Sequence, residues 1–124
     1  MNKGKIYTTY FKNIDKAIGI KISIASSNPA WLKIVDYDDW IIELSPGWSN
    51  VDKIKHGLIT REEFTNKVKA RLRFNSANVK YVTDLLDEGK DVTLMCYEKP
   101  NDFCHRHIVR EYIKNLGYEG EEIL

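Results

Sequence analysis

The chain has 124 residues, 43% of them hydrophobic and 30% charged. That length suits one domain built around a single modest core, and that composition excludes a disordered or low-complexity chain. The net formal charge of +1 excludes a protein that coats nucleic acid through a basic excess, while leaving room for a local basic pocket. In chain order, Lys5 to Phe11 is rich in β-branched and aromatic residues and reads as a first strand. Asn13 to Ala17 fits one helical turn. Ile20 to Ala25 alternates apolar and polar residues as a second strand, and Ser26-Ser27-Asn28-Pro29 breaks it. Residues 26–50 form a long connection holding Trp31, Trp40 and Trp48, with a turn signal at Ser45-Pro46-Gly47; it reads as a satellite core or a ligand-covering loop.

Helices dominate the middle. Val51 to His56 reads as a short one stopped by Gly57. Thr60-Arg61-Glu62-Glu63 fits a capping box, and Phe64, Val68 and Leu72 recur at helical spacing to about Phe74. Ser76 is expected to cap the next helix, with Val79, Val82, Leu85 and Leu86 inward and Gly89 closing it. Asp91 to Tyr97 reads as a third strand. Asp102 is expected to cap a last helix carrying Ile108, Val109, Tyr112, Ile113 and Leu116, ended by Gly117; Tyr118 to Leu124 adds an edge strand or a tail. Strands separated by helices imply a single α/β domain over residues 1–124, with a mainly parallel sheet of about three to five strands flanked by helices in a Rossmann-like, three-layer arrangement. Ligands of such sheets gather outside the carboxyl ends of the strands.

Compartment follows from what precedes the first strand. Met1-Asn2-Lys3-Gly4-Lys5 carries charge without an apolar run behind it, so no secretory signal is expected, and no stretch approaches the ~20 apolar residues that span a bilayer. Cys96 and Cys104 are therefore expected to be reduced, and the protein cytoplasmic, in a cell or in a virus replicating inside one.

The segment from Cys96 to Arg110 holds the densest chemistry. An apolar strand stops at a charged turn, and a helix then opens with Cys104, His105, Arg106 and His107. Backbone N–H groups point outward unpaired at a helix start and the dipole there is positive, which suits an anion or a reactive thiol. Cys104 is expected in the first helical turn, as a nucleophile or as a small buried residue; Asp102 and Glu98 nearby oppose its thiolate. Core packing is the better reading of Cys96, because the spacing to Cys104 is not the Cys-x-x-Cys of a dithiol pair. His105 and His107 face ~200° apart at ~100° per residue and cannot easily share one ion; Cys96, Cys104 and one histidine could in principle hold zinc, but their spacing matches no common finger, so no metal is assigned. His105 suits a proton carrier, and His107 a surface contact with Glu111. Arg106 and Arg110, one turn apart, suit a clamp on phosphate or carboxylate, with a solvated helix face as the alternative. Glu98 suits a general base, a ribose contact or a turn carboxylate. Tyr7 and Thr9 on the first strand and Tyr97 beyond the third would offer hydroxyls at the same rim, and Trp31 a stacking surface. Lys67, Lys69, Arg71 and Arg73 crowd a helix C-terminus, where positive charge is favoured in any case.

Ile6-Tyr7-Thr8-Thr9-Tyr10-Phe11, then Ser23-Ile24-Ala25 with Pro29 and Trp31, then Leu94-Met95-Cys96-Tyr97-Glu98-Lys99 leading to Cys104-His105-Arg106, resemble the family catalogued as domain of unknown function 488. The likeness runs over nearly the whole chain, and the Cys-Tyr-Glu-Lys and Cys-His-Arg signature is its most specific part. The resemblance implies a small intracellular α/β domain with its site at that signature. It also implies an arginine directly after the Ile-Ala of the second strand; this chain has Ser26 there, which favours a member specialised for binding.

The leading expectation is a pocket for a small phosphorylated or nucleotide-like ligand, held by a sensing or sequestering protein, a phage-encoded one being compatible with the sequence. The alternative is an enzyme acting on such a ligand, with Cys104 or Glu98 as nucleophile or base and His105 as proton carrier. A thiol redox or metal protein is a third reading, and an interaction module using the Trp-rich loop a fourth. No cofactor is assigned. Extended nucleic acid and membrane are not expected as partners, and a homo-oligomer is compatible with the sequence.

Overall fold

The computed structural model describes residues 2–99 and 102–124; Met1 and, in the charged turn, Pro100 and Asn101 lie outside them. Five strands form one parallel sheet: β1 (Ile6–Tyr10), β2 (Ile20–Ser23), β3 (Asp39–Trp40), β4 (Val92–Cys96) and β5 (Gly120–Glu122), in the order β3-β2-β4-β1-β5. The central strand β4 pairs with β1, Tyr10 opposite Cys96, and with β2, Ser23 opposite Met95. The edge strand expected near the C-terminus is β5, which adds to β1 with Ile6 opposite Gly120. β3 went unforeseen because two residues carry no alternation; it pairs with Ile22 and Ser23.

Four α-helices accompany the sheet: α1 (Trp48–Lys55), α2 (Arg61–Phe74), α3 (Ser76–Asp87) and α4 (His105–Lys114). The capping box of α2 forms as the sequence predicts: Glu63 N–H donates to Thr60 Oγ1 at 3.0 Å, and Thr60 N–H to Glu63 Oε1 at 3.0 Å. Ser76 does not cap α3. Asn75 holds that position, because its side-chain amide donates to the Glu43 and Arg71 carbonyls at 3.1 and 3.0 Å and pins the α2–α3 junction. Asp102 does not cap α4 either. Its N–H donates to the Lys99 carbonyl at 3.0 Å, and Phe103 packs edge-on against Phe64 with Arg61 over its ring, so the helix starts only after Cys104.

Alternation divides the sheet into two unequal faces. On one, Ile6, Ile22, Ile24, Val92 and Leu94 meet Phe64, Val68 and Leu72 of α2, Val79, Val82 and Leu86 of α3, and Ile108, Val109 and Ile113 of α4, all buried. On the other, Met95 and Ala25 meet Phe11, with Ile14, Leu32 and Tyr37 partly buried against them. This third layer is thin: a 3-10 turn over Phe11–Lys16 and the irregular chain after β2. Thr93 anchors it, donating to the Ile18 carbonyl at 2.7 Å and accepting from the Ile18 N–H at 2.9 Å. Among the described residues, no helix is long and apolar enough to cross a membrane.

Where this thin layer meets the sheet, Gly19 adopts a φ of +71° and a Cβ there would run into the Asp91 backbone. Gly19→Ala therefore combines a left-handed backbone penalty with a main-chain collision. It is expected to lower stability by ~2–4 kcal/mol, read as the shift of the urea midpoint at unchanged m-value.

Candidate functional site

From β2 the chain moves outward to β3. From β4 it moves the opposite way, through α4 lying over β1, to β5. Adjacent parallel strands whose connections diverge leave a crevice at their carboxyl ends, the usual ligand position of open α/β sheets. A cleft of about 280 Å³ lies there. Ala25, Ser26 and Ser27 beyond β2 border it, as do Cys96, Tyr97 and Glu98 at the end of β4, Pro46, His105, and Trp48, Val51 and Lys55 of α1. Ser26 Oγ is buried beside it and has no hydrogen-bond partner among the described residues.

Cys104 is the N-cap residue of α4, in extended conformation, and not a residue of its first turn. Its sulfur is joined to that of Cys96 in a disulfide, so the expectation of two reduced thiols is corrected. Both cysteines are buried, at 1% and 3% exposure. The strand end and the helix cap face each other directly across the loop, a juxtaposition that their spacing in sequence does not reveal.

His105 is buried on the opposite side of α4 from His107. Its Nε2 lies 2.7 Å from the Ile24 carbonyl, which can only accept, so Nε2 carries the hydrogen and Nδ1 is bare. Nδ1 faces Cys104 Sγ at 3.8 Å. Burial pushes the imidazole pKa down to about 4; the Ile24 hydrogen bond opposes this, and the positive charge of Arg106 adds to it. His105 is thus neutral across the physiological range.

The expected anion clamp is closed on the chain's own carboxylate. Arg106 is fully buried; its Nη2 and Nε donate to Glu122 Oε2 and Oε1 at 2.7 and 3.2 Å, and its Nη1 to Cys96 Sγ at 3.2 Å. Arg110 Nη1 donates to Thr8 Oγ1 at 2.7 Å and to His107 Nδ1 at 3.1 Å, and stands 3.7 Å from Glu122 Oε1. His107 Nε2 lies 3.7 Å from Glu122 Oε2, not against Glu111, which pairs instead with Arg110 and Lys114. Burial lowers the His107 pKa, against the opposing pull of Glu122. Glu122 is the residue that sequence reasoning missed. Two arginines one turn apart on α4 call for counter-charge, and the acidic residues of the tail from Glu119 to Glu122 were one source of it beside Asp102 and Glu111.

The remaining candidates divide. Glu98 and Tyr97 border the cleft, Glu98 Oε2 lying 3.8 Å from Cys96 Sγ. Tyr7 and Thr9 do not reach it: both are buried in β1, and Thr9 Oγ1 donates to the Ile123 carbonyl at 3.0 Å. Trp31 is half exposed and lies outside the cleft lining. Trp48 is the indole that walls the cleft, and Trp40 Nε1 steadies the loop by donating to the Ala25 carbonyl at 2.8 Å.

The family model DUF488-N3a, described as the active DUF488-N3 subclade, matches residues 6–117. The chain belongs to the DUF488 family. No curated protein matches it. The family match spans the sheet through β4, all four helices and the Cys-His-Arg segment, and ends three residues before β5, so Glu122 lies beyond it.

Two outcomes follow from this DUF488 site. Glu122→Ala strands Arg106 as an uncompensated buried charge and is expected to cost ~3–5 kcal/mol by urea unfolding; adding Arg106→Met in a Glu122→Leu background recovers most of the loss. The lowered pKa of His105 sets a pH dependence. Between about pH 6.5 and 4 the unfolded chain binds a proton that the folded chain refuses, so stability falls as pH falls through that window. The urea midpoint is expected to drop between pH 7 and 5, the full contribution being ~3 kcal/mol, and His105→Asn flattens that slope.

Proposed function

We propose that the chain binds a small phosphorylated, nucleotide-like ligand in the cleft between the carboxyl ends of β2 and β4, as a sensing or sequestering protein. The observation that carries this reading is the cleft itself: an opening at the point where the strand connections diverge, walled by Trp48 and Val51, with polar groups of Ser27, Lys55 and Glu98 at its border. Its volume of about 280 Å³ stands at the lower end of small-molecule sites and suits one mononucleotide better than a dinucleotide. The Trp48 indole offers a face for a base. Lys55 supplies a cation for phosphate, replacing in that role Arg106 and Arg110, which Glu122 engages. Glu98 is an acceptor for a sugar hydroxyl.

Binding is favoured over turnover by the state of the reactive groups. Cys104 is buried against Cys96, and His105 Nε2 is spent on the Ile24 carbonyl. Of the catalytic candidates, Glu98 alone is exposed at the cleft. Nucleotide ligands belong to the interior of a cell, and the proposed site of action is there.

Calorimetric titration with a panel of nucleoside mono- and diphosphates, followed by heat release and chromatography of the ligand, tests the proposal. At least one nucleotide is expected to bind at micromolar Kd and to be recovered intact, with Trp48→Ala and Lys55→Ala each weakening it at least tenfold. Recovery of an altered product supports the enzyme reading instead. Absence of binding below millimolar across the panel, or binding that neither variant weakens, overturns the assignment.

A further inference from the structure

Three buried ligand atoms meet at the floor of the cleft. The sulfurs of Cys96 and Cys104 and a ring nitrogen of His105 lie within 4.8 Å of one another. We propose that, when the disulfide is reduced, Cys96, Cys104 and His105 form a site for one soft divalent cation, of which zinc is the natural occupant. The inference goes beyond ligand binding in the cleft and does not depend on it.

Four features of the geometry support it. First, the donor set of two thiolates and an imidazole suits zinc and disfavours hard cations, which select oxygen. Second, the imidazole is already oriented as a metal ligand. Its Nε2–H is held by the Ile24 carbonyl, so the Nδ1 lone pair must face the sulfurs; metal-bound histidines are typically fixed in this way through their other nitrogen. Third, the spacing suits a shared ion. Ligand atoms each ~2.0–2.3 Å from one tetrahedral ion stand about 3.5–3.8 Å apart, and Cys104 Sγ and His105 Nδ1 are 3.8 Å apart. The two sulfurs have to separate, which reduction permits, and Cys96 Sγ, within 4.8 Å of the imidazole, has to settle at the same spacing from it. Fourth, the charge is balanced: two thiolates neutralise one divalent cation, and Arg106 Nη1 donates to Cys96 Sγ at 3.2 Å, holding that sulfur in place.

The fourth coordination position faces the cleft, since Cys96 and His105 both line it. Glu98, with Oε2 at 3.8 Å from Cys96 Sγ, is the nearest carboxylate to fill it, and water or a ligand group the alternative. A site with three protein ligands and one open position is the arrangement that zinc adopts where it does chemistry.

The balance is simple. Two equivalents of a small thiol reduce the disulfide, giving two protein thiols and one small-molecule disulfide; the electrons come from that thiol. Binding of the cation then displaces one proton from each protein thiol to solvent.

The experiment uses the full chain. Protein reduced with a small dithiol and freed of it under nitrogen is titrated with Co²⁺ and with Zn²⁺, beside the disulfide form. The reduced chain is expected to take up one ion, to show thiolate-to-cobalt charge-transfer absorption that zinc bleaches, and to release two protons; the disulfide form takes up none. Cys96→Ser and Cys104→Ser each weaken binding at least 100-fold. Because either substitution also changes a buried packing position, a second readout uses the wild type: zinc slows alkylation of both reduced cysteines at least tenfold, while magnesium does not. Reduced, folded protein that binds cobalt no better than the disulfide form, or that binds it without a thiolate band and without protecting the cysteines, overturns the proposal.

Discussion

The ion pair between Glu122 and Arg106 is the contact on which the rest of the site depends. Arg106 lies one residue beyond the start of α4 and is completely buried, a position a guanidinium tolerates only with its charge matched and its donors used. Glu122 meets it with both carboxylate oxygens from β5, at the far edge of the sheet. One bidentate pair thereby fixes the rotation of α4 over β1, ties down a strand of three residues, and leaves Nη1 free to reach Cys96. Arg110 adds its charge near the same carboxylate from the next turn, and the His107 ring places Nε2 3.7 Å from it. An exposed pair would contribute little; the weight of this one comes from the cost of leaving either partner alone in the interior.

That rotation decides which face of the Cys-His-Arg segment meets the cleft. Residues at successive positions on a helix point ~100° apart, so turning Arg106 and His107 toward β5 turns His105 toward β2, where the Ile24 carbonyl receives it. Cys104, just before the helix, is left at the end of β4 beside Cys96. The signature therefore splits by direction. Arginine and the second histidine serve the architecture, whereas cysteine and the first histidine face the cleft floor. Divergent strand connections place an opening directly above that floor, and α1 closes it with Trp48.

What was legible in the sequence was local or periodic. The box at Thr60 and Glu63 involves two residues one turn apart, and the apolar rows of α2 and α3 repeat at helical spacing, so both can be read without knowing the fold. The run Val92 to Cys96 is buried on both faces as the central strand of a parallel sheet must be, and its apolar character, broken only by Thr93, says so. The position of the cleft could also be read, since it follows from topology. Partners fixed by long-range closure were not legible. Arg106 and Arg110 look like an open clamp until Glu122 arrives from the tail; Ser76 looks like a cap until Asn75 bonds across to Glu43; Trp31 looks as suitable as Trp48 until the loop is folded. In each case the residue type was read correctly for its chemistry, and the partner came from a segment distant in sequence.

The cleft proposed above to take a small anionic ligand has sulfur at its base. A dry, largely apolar floor strengthens any electrostatic interaction made above it. Under the proposed metal binding it would hold one of two arrangements. Joined sulfurs give a neutral, closed floor beneath the ligand; separated thiolates sharing a cation give a floor with a Lewis-acidic position directed upward, where a phosphate oxygen or the Glu98 carboxylate can meet it. The proposed exchange leaves the Arg106–Glu122 pair as it is and asks adjustment of the side chains at the cleft floor. A fold that separates the groups holding its shape from the groups facing its ligand can change the chemistry of the cleft without repacking its core, and the division of labour along His105, Arg106 and His107 gives this chain that separation.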